Sequence, residues 1–558
     1  MDTLINAPEV RRDPRRWWAL GALVAALLVL GFDMTILNVA LPTMAGRLSA
    51  TTGEQQWMAD AYVVVLAALM LPAGLLGDRF GRRRMLITGL GVFLGGSLLG
   101  SLAADVPEVI AARVVMGVGA ALVMPLALSV LPSLFAPDER TRAVGLVSAA
   151  SALGLPLGPI TGGWLLGHFW WGSVFLINVP TAALSIAACV FLLPESRDPA
   201  SPAVDAVSTA LTVSGLAALV YAVIEAPGRG WSDPLVLAAA AAAAALLTGL
   251  VLRERRAARP LLDLALLAHR GFLLHTLAAT LVMFTLSGLM FVLPPYLQAV
   301  LGHDAFGTGL RLLPMMGGLL VAARGAQPVV ARLGSRAVIC AGLALLAFAA
   351  FLGSRTTVDS GYGFTALWLS IAGTGFGFSV VPAMDGALAA LPAGRAGSGS
   401  GLLTTLRQVG GAIGIALLGS LLAGAFRDRL DTTGLPAPAA GTAGESVVAA
   451  HRVAGETGSA RLAVSADGAY LHGMTVVLLV CGVAALIAAV LAAAFLPGTA
   501  AGGTTADRDT ADRDTADRDT ADRDTADPDT ADRDTAAPAA DGAAAVPAVA
   551  PPEADGRQ

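Results

Sequence analysis

Long apolar runs alternate with short polar stretches along most of the chain. A helix needs about 20 predominantly apolar residues to cross a bilayer, and runs of this kind occur fourteen times. They lie at residues 17–39, 57–77, 85–104, 107–131, 143–166, 174–194, 206–226, 233–252, 273–296, 308–330, 337–355, 363–385, 400–424 and 471–497. The pattern predicts an all-α polytopic membrane protein with fourteen transmembrane spans.

Charged residues in the polar stretches form two alternating sets. Arginines occupy every second loop, at residues 79–84, Arg140, Arg142, 253–256, Arg332, Arg336 and Arg395. The intervening loops hold mainly acids, at Glu54, Asp105, Glu108, Asp233, Asp304 and Asp359. Because arginine-rich loops stay in the cytoplasm, both termini are expected there. The first run has no small-residue cleavage site at its end, so we expect a retained span and not a signal peptide.

Two of the spans interrupt an otherwise regular arrangement. Without the segments 206–226 and 233–252, six spans precede and six follow, as in transporters built from two repeated halves. The predicted organisation is a cytoplasmic tail 1–16, a six-helix bundle 17–204, two inserted helices with a linker 205–270, a second bundle 271–499 and a tail 500–558. Within the second bundle, an outside loop 427–469 with little apolar periodicity is expected to be mobile. The last tail repeats Thr-Ala-Asp-Arg-Asp without an apolar face, which predicts disorder.

Composition narrows the classes of function. The chain of 558 residues is 55% hydrophobic and 14% charged, whereas soluble proteins carry about 25% charged residues. Lysine is absent, so a phosphate-binding loop of the type that needs a lysine is excluded. The three cysteines and six histidines have no metal-ligand spacing. An enzyme, a metal site and a nucleic-acid partner are therefore not expected, and the bias toward arginine, alanine and glycine indicates a GC-rich bacterium.

The loop between the second and third spans carries the most specific motif. Residues 74–84 read Gly-Leu-Leu-Gly-Asp-Arg-Phe-Gly-Arg-Arg-Arg. This loop resembles the signature between helices 2 and 3 of major facilitator superfamily transporters. The resemblance implies a cytoplasmic gate formed by Gly74, Asp78, Arg79, Gly81, Arg82 and Arg83. Asp78 is expected to meet the start of the thirteenth span near residues 397–401, where a helix dipole favours an acid.

Two opposite charges lie inside predicted spans, where ionisable groups are costly and mark ion paths. Asp33 lies in a segment that resembles the first-helix motif of 14-span drug:proton antiporters. Arg113 lies in a segment that resembles the helix-4 motif, whose arginine is implicated in proton coupling. Both are expected about 10 Å from the outer face. We hypothesise that protonation of Asp33 changes its attraction to Arg113 and shifts the balance between inward- and outward-open states.

The fifth span combines prolines and glycines in a way that predicts a kinked, closely packed helix. The residues concerned are Gly154, Pro156, Gly158, Pro159, Gly162 and Gly163. The segment resembles the motif that distinguishes exporters of the superfamily from its uptake symporters. The resemblance implies antiport, with this helix acting as a hinge and as a seal against proton leakage.

Other polar residues are candidates for substrate contact or gating: Asn38, Trp57, Tyr62, Asp385, Arg407 and Gln408. The aromatic pair could instead anchor the second span at the membrane interface. Arg407 could pair with Asp385 or Asp78, or contact substrate. The cavity is expected near the midplane, lined by spans 1, 2, 4, 5, 9, 10, 12 and 13.

The resemblance implies a major facilitator fold with two six-helix bundles and two inserted helices. It further implies a monomeric drug:proton antiporter in the cytoplasmic membrane that exports a small amphipathic molecule, uses the proton gradient and needs no cofactor. Protons, lipid and this substrate are the expected partners. One alternative is a dedicated exporter of an endogenous metabolite or peptide. A membrane sensor is a further alternative, and it would require a folded output domain.

Overall fold

The structure is a computed structural model that describes residues 16–135, 137–197, 204–257, 260, 262–391 and 396–496. Some residues within these ranges, chiefly in 137–156, have a described backbone only. Residues 1–15 and the predicted repeat tail lie outside the described residues. Where the structure describes the chain, its regular secondary structure is entirely helical.

The first half of the chain forms a bundle of six crossing segments. Its helices are α1 (Arg16–Leu48), α2 (Thr52–Phe80), α3 (Arg82–Leu102), α4 (Val106–Ser129), α5 (Leu131–Leu134), α6 (Pro137–His168), α7 (Ser173–Leu176) and α8 (Asn178–Leu192). The short α7 continues into α8, and together they make the sixth crossing segment. Within the bundle α1 packs along α6, and α2 packs along α4.

The second half repeats this arrangement after two inserted helices, α9 (Ala206–Arg229) and α10 (Pro234–Arg256). A 3₁₀ helix, Leu264–Ala268, leads into it. Its helices are α11 (Arg270–Pro295) with a π-helical turn Tyr296–Val300, α12 (Ala305–Arg311), α13 (Leu313–Leu333), α14 (Ser335–Gly353), α15 (Tyr362–Ala389), α16 (Ala396–Arg429), α17 (Ala437–Ala443), α18 (Val447–Thr457) and α19 (Ala460–Phe495). Here α13 packs along α15, and α11 packs along α16.

The number of crossing segments agrees with the sequence pattern. Thirteen helical segments in the described residues are long and apolar enough to cross a membrane. The helix α6, whose side chains are described only in part, contains 32 residues and is therefore about 48 Å long. With α6 as the fourteenth segment, the all-α fold with two six-helix bundles and two inserted helices is confirmed.

The basic loops of the two halves end their helices in the same way. Gly81, between α2 and α3, has φ +110°, and Gly334, between α13 and α14, has φ +81°. These values lie in a region that side chains disfavour and glycine tolerates. The equivalent positions support the repeat relation between the two halves.

The segment 427–469 differs from the expected mobile loop. It contains the helices α17 and α18, and α18 buries Val447, Ala450 and Val453. The Ser446 hydroxyl caps α18 by accepting a hydrogen bond from the Ala449 amide at 3.1 Å. Since α18 packs on α1 and α19, residues 437–457, which contain α17 and α18, form a folded cap on those helices.

The inserted helices lie on one flank of the molecule. α9 packs against α2 of the first bundle and α16 of the second. An apolar cluster joins the three helices, formed by Val64, Ala68, Leu216, Val220, Ile224, Ala412 and Ala416. The Ser420 hydroxyl donates to the Val223 carbonyl oxygen at 2.7 Å. α9 therefore covers the line where the two bundles meet on this flank, and α10 packs on α9.

Candidate functional site

A cavity of about 80 Å³ lies between the two bundles. It is lined by Met34, Thr35, Leu37, Asn38, Ala59, Tyr62, Val63, Arg113, Met283, Leu286, Ser287, Met290, Met316, Leu319 and Ile415. These residues come from α1, α2, α4, α11, α13 and α16, which are spans 1, 2, 4, 9, 10 and 13. No described side chain of α6 or α15, spans 5 and 12, lines the cavity. Drug pockets commonly measure about 300–1,000 Å³, so the walls must separate to admit a substrate.

The structure brings Asp33 and Arg113 together beside this cavity. Arg113 Nη1 donates to Asp33 Oδ2 at 2.7 Å, and the two side chains are 2% and 1% exposed. Asn178 Nδ2, from the start of α8, donates to the other carboxylate oxygen at 2.9 Å. Both oxygens of Asp33 are therefore hydrogen-bonded, as a buried charge requires.

The guanidinium of Arg113 is held from two further directions. Its Nε donates to the Met58 carbonyl oxygen of α2 at 3.1 Å, and the Tyr62 ring lies beneath it at 4.2 Å. These contacts link α1, α2, α4 and α8 through one buried pair. A change in the charge of Asp33 would consequently alter contacts between four helices.

The loop of the predicted gate makes contacts within its own bundle. Arg82 Nε donates to Asp78 Oδ1 at 2.8 Å, and Arg82 Nη1 donates to the Ser129 carbonyl oxygen at 3.1 Å. The backbone N–H of Arg83 donates to Glu195 Oε1 at 3.2 Å. A Cβ on Gly81 would lie 2.5 Å from that same oxygen, so the Glu195 side chain would have to shift, and the φ angle of +110° itself favours glycine here.

Three other gate residues lie around this network. Gly74 is half-buried, the side chain of Arg79 is exposed, and Arg83 is half-buried. The expected contact between Asp78 and the start of α16 is not among those described, and residues 392–395 just before α16 lie outside the described residues. In the structure α2 instead contacts α16 at the point where Leu71 lies against Gly401.

The glycines of α6 face two different helices. Gly154 lies against the backbone of Gly31 and Phe32 in α1. Gly158 and Gly162 follow on the same side, against Thr35 and Ile36.

The other face of α6 meets the second bundle. A Cβ on Gly163 would lie 2.5 Å from the Ala305 carbonyl oxygen. The Pro159 carbonyl lies against Gly309 of α12. Pro156 lies within the continuous helix α6, and its side chain is outside the described ones. Along this line the bundles touch backbone to backbone, on the side that the charge pattern assigns to the outside.

The remaining predicted residues separate into two groups. Asn38 and Tyr62 line the cavity. Trp57 does not line it and packs against Tyr221 of α9, with ring centroids 6.3 Å apart. Trp57 therefore contacts the inserted helix α9 and not the cavity.

The candidates of the second bundle lie away from the cavity lining. Asp385 is exposed and accepts a hydrogen bond from Gln327 Nε2 at 2.6 Å. Arg407 Nη1 contacts the Met384 sulfur at 3.1 Å, and the described contacts of Arg407 include neither Asp385 nor Asp78. Gln408 is buried, and its Nε2 has no hydrogen-bond partner among the described residues.

Sequence reasoning missed two polar residues at this site. Asn178, the third partner of the ion pair, follows a loop and gives no local signal of its role. Asp60 of α2 is fully buried, and neither carboxylate oxygen has a hydrogen-bond partner among the described residues. The sequence did contain a signal for Asp60, because this residue is an acid within the apolar run 57–77.

Comparisons with known proteins agree with this architecture. The family model of the Major Facilitator Superfamily matches residues 23–415. The chain is 32% identical over 492 residues to the tetracenomycin C resistance and export protein of Streptomyces glaucescens, covering 85% of this chain and 90% of that protein. It is 34% identical over 503 residues to the multidrug efflux pump LfrA of Mycolicibacterium smegmatis, covering 88% and 98%.

A solved structure shares the fold. It is a bacterial homolog of the human lysosomal transporter Spinster in an inward-facing and occupied conformation. The TM-score is 0.63 at 17% identity, over 87% of this chain and 98% of that one. At this identity the likeness concerns the arrangement of helices alone.

Proposed function

This chain belongs to the major facilitator superfamily, and from that premise we propose that it exports small amphipathic drugs or antibiotics across the cytoplasmic membrane in exchange for protons. It is a multi-pass membrane transporter and not an enzyme. The buried pair of Asp33 and Arg113, with its 2.7 Å contact beside the cavity, is the observation that carries the proton-coupling part of the proposal. The names of the two relatives, an export protein and an efflux pump, support the export part.

The pair couples a proton to the shape of the cavity by simple electrostatics. Protonation of Asp33 removes the charge that Arg113 faces and weakens their contact. Arg113 itself lines the cavity, so a weaker contact with Asp33 lets the guanidinium move and alters the cavity wall. The two states of the carboxyl thereby favour different arrangements of α1 and α4.

Transport by everted membrane vesicles tests the proposal. Vesicles from an efflux-deficient host would be screened with a panel of toxic compounds, with and without a protonophore. We expect uptake that collapses when the pH difference is removed. In Asp33→Asn, we expect at least about a tenfold loss of this uptake, because a fixed neutral group cannot alternate in charge.

The control for this variant is Asp359→Asn, which changes an exposed loop acid and should leave uptake intact. Size-exclusion profiles of both variants would establish that the protein remains folded. Full pH-driven uptake in Asp33→Asn would refute the coupling role of the pair. Export that ignores the protonophore would refute antiport altogether.

A dedicated exporter of a compound made by the same cell is the second candidate. The name of the Streptomyces relative, which combines resistance with export, favours it. A biosynthetic cluster beside the gene would support this candidate. A neighbouring repressor gene would support broad drug efflux instead.

A further inference from the structure

We propose that the central cavity selects uncharged, flat aromatic molecules that carry carbonyl or phenol oxygens, and that it disfavours permanent cations. This inference rests on the proposed export function and names the substrate class of the same cavity. It follows from the charge, the free hydrogen-bonding group and the sulfur content of the cavity walls.

The charge of the walls disfavours a cation. Among the described residues that line the cavity, Arg113 is the sole charged one. Asp33 is 1% exposed and is already bonded to Arg113 and Asn178. Asp60 is 0% exposed and outside the lining. Arg113 and Asp33 form a pair that is neutral overall, so a cation in this cavity would lose its water without a free carboxylate to replace that water.

One wall offers a hydrogen-bonding group that lacks a partner. The Tyr62 side chain is 0% exposed, and its hydroxyl has no hydrogen-bond partner among the described residues. It lines the cavity beside Arg113, whose guanidinium lies 4.2 Å from the Tyr62 ring. When the cavity walls separate, a carbonyl or phenol oxygen that reaches this buried hydroxyl would accept a hydrogen bond from it and bring no opposing charge.

The rest of the lining suits an aromatic ring. Met34 comes from the first bundle, and Met283, Met290 and Met316 come from the second. Thioether sulfurs make favourable contacts with aromatic rings, and methionine side chains adapt to irregular shapes. A flat aromatic ring between Met34 and the three methionines of the second bundle would contact both bundles at once.

The selectivity can be measured with two probes on the full-length protein in lipid nanodiscs. The uncharged probe is 1,4-dihydroxyanthraquinone, and the cationic probe is ethidium. We expect saturable binding of the anthraquinone at pH 7, and no displacement of it by ethidium at equal concentration. Binding of ethidium as tight as that of the anthraquinone would overturn the inference.

A matched pair of variants places the anthraquinone in the cavity. Tyr62→Phe removes the free hydroxyl and should weaken binding about three- to tenfold, the effect of one lost hydrogen bond. Tyr221→Phe, on α9 and outside the lining, should leave the affinity unchanged. An unaltered affinity in Tyr62→Phe would overturn the assignment of the hydroxyl.

Vesicle transport of the same probes separates this inference from the proposed function. Proton-driven export of ethidium without export of the anthraquinone would refute the selectivity and leave antiport standing. Binding of the anthraquinone through Tyr62 without any proton-driven export would refute the function and leave the cavity chemistry standing.

Discussion

At the residue scale, two aspartates in neighbouring helices have opposite surroundings. Asp33 receives hydrogen bonds from Arg113 and Asn178 on its two oxygens. Asp60 is equally buried and receives none that the described residues supply. A buried carboxyl without a partner is most stable uncharged, whereas a paired one can keep its charge. The same residue type therefore performs different physical tasks in α1 and α2.

Replacement of Asp60 should be tolerated or favourable. We expect Asp60→Leu to raise the free energy of unfolding by about 1–3 kcal/mol, because an unsatisfied buried polar group is removed. Asp33→Leu should lower it by about 3–5 kcal/mol, because Arg113 would stay buried without its partner. Unfolding of the purified variants in detergent measures both values. A clear loss of stability in Asp60→Leu would reveal a partner for this carboxyl.

Sequence reasoning placed Asp33 and Arg113 at a shared depth, about 10 Å from the outer face, and their 2.7 Å contact agrees with a shared depth. In the structure Asp33 precedes the end of α1 by 15 residues, and Arg113 follows the start of α4 by seven, or about 22 and 10 Å. The apolar run 17–39 marked only part of α1, which continues to Leu48. The pairing itself was predictable because opposite charges at a shared depth in apolar helices stabilise each other.

At the element scale, glycines decide how closely helices approach. α6 meets α1 through Gly154, Gly158 and Gly162, and it meets α12 through Gly163. Those contacts depend on the absence of a side chain, since backbone and side-chain atoms of the neighbouring helices occupy the space that a Cβ would fill. The sequence predicted close packing by this helix, but it could not show which neighbours would be involved.

A methyl group at Gly163 should disrupt the contact between the bundles. Its Cβ would lie 2.5 Å from the Ala305 carbonyl oxygen, so α6 and α12 would have to separate. We expect Gly163→Ala to raise proton leakage through proteoliposomes and to reduce pH-driven export. Gly167→Ala, one turn further along α6 with nothing within 4 Å of the new Cβ, is the matched control. Equal leakage in the two variants would contradict a seal at this position.

The folded cap 437–457 was not predicted because its buried face is made mostly of small residues. Ala450, Ala454 and two valines repeat at helical spacing in α18, but alanine contributes little to hydropathy. Contacts with other segments hold the cap in place. The Thr52 amide and hydroxyl both donate to the Glu445 carbonyl oxygen, at 3.0 and 2.8 Å.

Hydrogen exchange should distinguish the folded cap from a mobile loop. We expect the amides of 449–457 to exchange much more slowly than those of 431–435. Ala450→Asp would bury a charge in the packed face and should abolish this protection. Ala437→Asp changes an exposed residue at the start of α17 and should preserve it. Fast exchange throughout 437–457 in the unaltered protein would contradict the packing of α18.

At the scale of the whole molecule, most of the architecture was predictable. Each span can be recognised in the sequence because a helix in lipid must be apolar on nearly every side. The number of spans, the two halves and the inserted pair followed from that constraint. The packing of α9 against α2 and α16 did not follow, because the cluster that joins these helices consists of apolar residues, which the sequence does not distinguish from residues that face lipid.

The topology remains a prediction that reporter fusions can test. Both ends of the chain should lie in the cytoplasm, because an even number of spans follows an arginine-rich N-terminus. A fluorescent protein fused before Met1 and one fused after Ala501 should both be fluorescent. An alkaline phosphatase inserted at Gly434 should be active. Ends on opposite sides of the membrane would contradict the count of fourteen spans.

The placement of α9 and α10 also affects the lipid around the protein. Because α9 covers the line where α2 meets α16, with α10 packed on α9, acyl chains stay at least one helix diameter, about 10 Å, away from that line. The opposite line, between α6 and α12, has no such cover among the described residues. The lipid annulus is therefore uneven, and a solute dissolved in the acyl chains can touch the junction of the halves from one flank only.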